Sequence, residues 1–230
     1  MLTAAGMIAC SSGEPAGPPR AVIVDQLGAT DPNAEFVERA TEKLQRAGYA
    51  VDYYPSEQVS VELFSQLDDV GYDFLVLRVH MARFQGEWRG QSYDNPVLFT
   101  SEPYTADQYI DEQWELELNP VFAYEGAPEY FGVGPNFVQS GGDFDGAAVV
   151  LMGCSGLSTD ALAQAFVAKG ADEVVGWNDL VSAQHTDEAT LRLLDHMLFE
   201  QLSPQQAVAR TNSEVGTDPV YQSYLLSYAP

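Results

Sequence analysis

Apolar and polar positions along this chain follow two rhythms, and the points where one gives way to the other predict its elements. "AVIVDQL" (21–27), "AVDYYP" (50–55), "YDFLVLRVH" (72–80), "GAAVVLMGC" (146–154) and "DEVVGW" (172–177) are short apolar runs of the kind that form strands buried on both faces. Between them, apolar residues recur every three or four positions. The clearest case is "DPNAEFVERATEKLQRAG" (31–48). Here Asp31 is the expected N-cap, Pro32 takes the first helical position, Phe36, Val37, Ala40, Leu44 and Ala47 share a face, and Gly48 is the stop. Further helices are predicted over 59–71, over 158–170 with Ser158 or Thr159 as cap, and over 186–202. In "SPQQAVARTN" (203–212), Ser203, Pro204 and Gln206 fit a capping box. The tail "YQSYLLSYAP" (221–230) predicts a last strand.

Strands separated by amphipathic helices imply an α/β fold, a three-layer α-β-α sandwich around a mainly parallel sheet, with residues 21–230 as its single domain. The alternation stops after His80. From about 82 to 145, segments such as "NPVLFT", "WELELNPVFAY" and "EYFGVGPNFV" are punctuated by Gly, Pro, Asp and Asn. A structureless loop of that length is unusual in a compact domain, so a β-rich insertion is predicted there. In parallel sheets the binding crevice opens beyond the carboxyl ends of the strands, where the strand order reverses. His80 and Cys154 close the two strands that flank the insertion, and the pattern predicts them side by side at one rim.

Charge narrows the partners. The 230 residues carry 10 Lys and Arg against 34 Asp and Glu, a formal charge of −24 spread along the whole chain. Such a field repels phosphate backbones and anionic headgroups, which argues against a nucleic-acid partner or a polybasic membrane contact. Residues 1–20, "MLTAAGMIACSSGEPAGPPR", read as a tether: a short apolar stretch ending at Cys10, then Ser, Gly, Pro and Ala. "MIAC" resembles a lipoprotein lipobox without the basic n-region, which makes Cys10 a lipidation candidate. On that reading the domain is tethered or secreted outside the cytoplasm, and any membrane contact runs through the lipid; on the alternative reading the segment is disordered and the protein cytoplasmic.

The chemistry lies in the pair at the strand ends. A thiolate is the best side-chain nucleophile, and an imidazole titrates near neutrality and can pass a proton to a leaving amine. Backbone N–H groups of the turn around Gly153 and Ser155, between strand and helix, are candidates to hold a developing oxyanion. Taken singly, Cys154 also fits a small core hydrophobe and His80 a hydrogen-bonded strand terminus, so periodicity leaves both readings open. His185 falls at a helix start and His196 on a helix's polar face. Neither has metal-site spacing, and neither a metal nor a cofactor is expected.

"YDFLVLRVH", then "AAVVLMGCSG", "LAQAFVAKGADEVVGW" and "LSPQQAV" together resemble the caspase-like (clan CD) cysteine peptidases, in particular the gingipain, clostripain and CHAT-domain branch. The resemblance covers roughly residues 21–230. It implies an endopeptidase in which Cys154 attacks the scissile carbonyl and His80 protonates the leaving amine of a peptide or protein substrate. It also implies that Trp177 and Asp179 shape the substrate pocket, Asp179 attracting a basic side chain. The sequence departs from the group at Met81, where members usually carry a glycine whose N–H serves the oxyanion hole. That departure keeps open a second reading: an inactive caspase-like domain that uses the aromatic insertion to bind a protein. A flavodoxin-like or receiver-like domain fits less well, because the first strand lacks a Gly-rich phosphate loop and offers only Asp25 as a phosphoacceptor.

Overall fold

In the computed structural model, which describes residues 17–230, the apolar runs become a six-stranded sheet. The first strand, β1 (Arg20–Asp25), is followed by a short 3-10 turn and by helix α1 (Ala34–Arg46), β2 (Ala50–Pro55), α2 (Val61–Gln66) and β3 (Phe74–Arg78). After the insertion come β8 (Ala148–Leu151), α5 (Ala161–Ala168), β9 (Glu173–Trp177), α6 (Ala183–Leu198), α7 (Pro204–Val215) and β10 (Leu225–Tyr228). The strand order is β10-β9-β8-β3-β1-β2; β10 runs antiparallel to β9 and the other pairings are parallel.

Period-two alternation divides each central strand between two cores. Val22, Val24, Leu75, Leu77, Val149 and Leu151 pack on one side with α2 and α5. Ala21, Ile23, Phe74, Val76, Ala148 and Val150 pack on the other with α1, α6 and α7. Helices therefore cover both faces of a mostly parallel sheet. The chain runs outward from β1 to β2 and then returns to the other side of β1 as β3, so the strand order reverses between β1 and β3.

The insertion is a separate antiparallel sheet of order β4-β5-β7-β6, formed by β4 (Met81–Trp88), β5 (Gln91–Pro103), β6 (Leu118–Val121) and β7 (Tyr130–Val133). Two short helices, α3 (Ile110–Trp114) and α4 (Pro135–Ser140), complete it. Because β4 begins directly after His80, the end of β3 is held by both sheets.

Local expectations meet mixed outcomes. The α7 capping box is present, with Ser203 accepting from Gln206 N and the Gln206 side chain accepting from Ser203 N. The α1 cap is Asn33, whose Oδ1 accepts from Phe36 N, rather than Asp31; Pro32 thus precedes the helix instead of opening it. Ser158 and Thr159 do not cap α5: its N-cap is Asp160, and both hydroxyls are buried without a partner. His196 is not on a polar face. It is buried between α6 and α7, with Glu200 Oε1 3.0 Å from Nδ1 and Glu214 Oε2 3.3 Å from Nε2. No helix among the described residues is long and apolar enough to cross a membrane, and Cys10 lies outside them.

Glu173, at the start of β9, is buried with Oε2 unpartnered, and burial together with the neighbouring Asp172 pushes its carboxyl up to about 7. Between its ordinary value of 4.5 and 7, the folded chain keeps a proton that the unfolded chain has lost. Stability therefore falls as pH rises through that window, and below it the residue contributes nothing. Glu173→Gln is expected to raise unfolding free energy by on the order of 1–2 kcal/mol above pH 7 and to change nothing at pH 4. Urea titrations at the two pH values check this; an equal effect at both would remove titration as the cause.

Candidate active site

β3 and β8 are neighbours in parallel register, with Leu77 opposite Leu151. Counting three residues onward from each brings the chain to His80 and to Cys154, so the two side chains leave the sheet at matching positions. Both ladders stop short of the expected ends: β3 closes at Arg78 and β8 at Leu151. The released segments line a single cleft of about 670 Å3 that holds His80 and Cys154 together with Met81, Gly153, Ser155 and Asp179. This cleft lies beyond the carboxyl ends of β3 and β8, beside the point of strand-order reversal, where such sheets bind ligands.

The His80 ring packs against Phe99 with centroids 5.8 Å apart, and its Nε2 is 3.0 Å from Thr30 Oγ1. The His80 main-chain N–H donates to Gln26 Oε1 at 2.9 Å, which fixes the residue to the turn after β1. Burial lowers the imidazole below its usual 6.5, against an opposing pull from Asp31, so the ring is neutral at pH 7 and able to accept a proton. Cys154 is a free, half-buried thiol. Its Sγ accepts from Val181 N at 3.5 Å and lies 3.6 Å from Val181 O. Burial raises the thiol; the Val181 hydrogen bond opposes this, while the carboxylates of Asp179 and Asp218 add to it. A protonated thiol thus faces the same space as a neutral imidazole. Iodoacetamide is expected to modify Cys154 more slowly at pH 7 than it modifies free cysteine, with a rate that climbs through a pKa above the ordinary thiol value. A stopped-flow pH series reads this directly, and an inflection near or below neutrality would contradict it.

The turn that carries the thiol is tight. A Cβ on Gly153 would collide with the Val79 carbonyl oxygen and the Met81 side chain, so only glycine lets β8 leave the sheet so close to β3. Among the described residues no acceptor takes the Gly153 N–H. Met81 is not among the residues with positive φ. Its side chain is buried against Gly153 and Gly156 at the edge of the cleft, and with no left-handed φ to adopt, a glycine is not required there. Phe99 N donates to His80 O, which makes Met81 and Leu98 a non-hydrogen-bonded pair and turns the Met81 N–H away from β5. Ser155 is different. It adopts a left-handed φ of 58° and its N–H donates to Asp179 O at 2.9 Å, so that donor is engaged and the expectation of an oxyanion role for Ser155 is corrected.

Trp177 is also corrected. It is 0% exposed and lies beneath the cleft, where alternation along β9 turns it into the α6 side of the sheet. There its Nε1 donates to Thr186 Oγ1 at 2.9 Å, and Thr186 Oγ1 donates to Met152 O at 2.8 Å, tying the start of α6 to the end of β8. His185 packs tilted against the same ring, with centroids 5.4 Å apart. Asp179 does stand at the cleft, exposed, with Oδ1 accepting from Leu180 N.

Two anchors of this site are carried by residues that periodicity does not mark. Arg78, 0% exposed, donates to Asp25 Oδ1 at 2.6 Å, to Asp187 at 2.7 and 2.9 Å and to Asp31 O at 2.8 Å. Tyr53 OH donates to Asp25 and Asn33 Nδ2 to Asp187, so each carboxylate has a second donor. The cluster locks β1, the loop before α1 and the start of α6 around the end of β3, two residues before His80. Asp25, the residue that the receiver-like alternative would need, is 2% exposed and already engaged by Arg78 and Tyr53. The signal was an arginine inside "FLVLRVH", since a buried strand cation requires partners. The second anchor is Asp218, fully buried. Burial alone would raise it, but donors from Ser182 Oγ and the N–H groups of Ser182, Tyr221 and Val220 outweigh this and hold it down at about 2. It pins the loops that carry Val181 and Tyr221 to the cleft. Compared with known proteins, the chain matches no family model and no curated protein.

Proposed function

We propose that this chain is a cysteine endopeptidase of the caspase-like kind, with Cys154 as nucleophile and His80 as its proton partner. The observation that carries the reading is the register: β3 and β8 are adjacent and parallel, and their continuations deliver an imidazole and a thiol to one cleft. The architecture supports it as well, with helices on both faces of a mainly parallel sheet and an antiparallel insertion between the two strands.

In this reading a peptide in the cleft displaces Thr30 as partner of His80, and the imidazole takes the proton of the Cys154 thiol. The sulfur attacks the scissile carbonyl carbon, and the oxygen gains a charge that the N–H groups of Gly153 and Met81 are placed to receive. When the C–N bond breaks, His80 returns the proton to the leaving amine. Water then hydrolyses the thioester, with the same imidazole as base, and the thiol is restored. No metal or cofactor takes part.

A second reading, an inactive domain that binds a protein partner, draws on two features: burial raises the Cys154 thiol, and His80 is turned toward Thr30. Digestion of denatured protein substrates by the purified chain, with Cys154→Ala as control, separates the two. Cleavage that disappears in the variant supports the peptidase, and its absence from both supports the binding module.

A further inference from the structure

Of the ten large apolar side chains exposed among the described residues, six belong to three loops around the cleft. Phe122, Leu180 and Tyr221 line it, while Tyr124, Val220 and Tyr224 stand within three residues of these along the chain. The loops join β6 to β7, β9 to α6 and α7 to β10, so their convergence is a property of the fold and not of local composition. Single exposed apolar residues are ordinary, but a cluster around a cleft marks a contact surface. Two of these loops are also held in place. Asp218 accepts from the N–H groups of Val220 and Tyr221, and Ser223 Oγ donates to Leu180 O at 2.6 Å, so little ordering cost remains for binding.

We propose that the cleft recognises an extended polypeptide through bulky apolar side chains that flank the residue held against Cys154, with Phe122, Leu180 and Tyr221 as the recognising collar. The identity of the occupant, a polypeptide, rests on the peptidase reading above. The competing determinant at the same rim is Asp179, which would attract a basic side chain. Its carboxylate is exposed and already accepts from Leu180 N. An exposed ion pair changes affinity by a factor of at most about 5, whereas burying one large apolar side chain changes it by about tenfold or more. Apolar recognition therefore dominates, and the formal charge of −24 turns acidic segments away.

The test uses the full chain carrying Cys154→Ala, so that binding is read without turnover. Fluorescence anisotropy compares three labelled hexapeptides: one with Phe and Leu flanking its central bond, one with Ala at those positions, and one with Ala there plus an Arg before the central bond. The Phe/Leu peptide is expected to bind at least about tenfold more tightly than the Ala peptide and to be indifferent to salt. The Arg peptide should gain no more than about fivefold and lose that gain at high salt. Adding Leu180→Ser or Tyr221→Ser, with circular dichroism and melting unchanged, should weaken the Phe/Leu peptide by about fivefold or more. The proposal is overturned if the Arg peptide binds as well as the Phe/Leu peptide, if none of the three binds, or if both collar variants bind as before. The peptidase reading fails separately, when the chain with Cys154 intact binds the Phe/Leu peptide and leaves it uncut.

Discussion

Replacing Arg78 with methionine is expected to lower the free energy of unfolding by about 3–5 kcal/mol, because it strands two buried carboxylates. Asp25 and Asp187 are almost fully enclosed, and without the guanidinium each keeps only one neutral side-chain donor, Tyr53 or Asn33. Against a total of about 5–15 kcal/mol for a domain, this is a large fraction. Two features separate this cause from lost packing. The deficit should shrink toward acid pH, because the penalty is that of burying unpaired negative charge, and protonation removes that charge. Adding Asp25→Asn and Asp187→Asn to Arg78→Met should also return much of the loss, since neutral amides cost less to bury. Urea unfolding followed by circular dichroism measures all three proteins. A loss below about 1 kcal/mol for Arg78→Met would mean that the cluster does not hold the end of β3.

The larger effect is on chemistry. On the proposed mechanism, Cys154→Ala should reduce peptide hydrolysis by about 10^4-fold or more while leaving the fold in place, because the substitution removes one half-buried sulfur and with it the proposed nucleophile. His80→Ala should cost about 10^2- to 10^4-fold, the usual worth of a positioned acid or base. The burial that raises the thiol makes the histidine more necessary here than in a site where the thiolate is already formed. The double variant should be little worse than Cys154→Ala alone, as groups that act as a unit are not additive. Rates on one peptide, determined for all four proteins at matched stability, decide the matter. Retention of wild-type rate by either single variant would leave the pair without a catalytic role.

What the sequence made legible was the frame. Strands buried on both faces announce themselves as unbroken apolar runs, and Gly48 and the Ser203–Gln206 box mark helix ends through backbone chemistry that acts within a few residues. That β3 and β8 are neighbours, so that His80 and Cys154 line one cleft, followed from the same logic, since consecutive parallel strands tend to be neighbours. Their distance past the ladder ends did not, because the strands end at Arg78 and Leu151, with one further bond from Met152 N to Leu77 O, while the apolar pattern continues. The insertion was legible as β structure but not strand by strand. β5 runs for 13 residues and shifts register between Phe99 and Pro103, which blurs its alternation.

The anchors were the least legible part. Arg78 meets Asp25 and Asp187 across sequence separations of 53 and 109 residues, and Asp218 meets Ser182 across 36, so no local pattern pairs them. Trp177 was within reach: Val175 and Trp177 share a face of β9 by simple alternation, and that face is the α6 side of the sheet. His196 was not, because one of its two flanking carboxylates, Glu214, comes from the next helix.

The most direct test of the central pairing is a substrate-like one. A peptidyl acyloxymethyl ketone places an electrophilic carbon where a scissile carbonyl would lie, and intact-mass spectrometry reads its adduct. The wild-type chain should form a single adduct, mapping to Cys154, and His80→Ala should form it at least about 100-fold more slowly. An adduct that forms equally fast without His80, or no adduct at Cys154 in the wild type, would contradict the account.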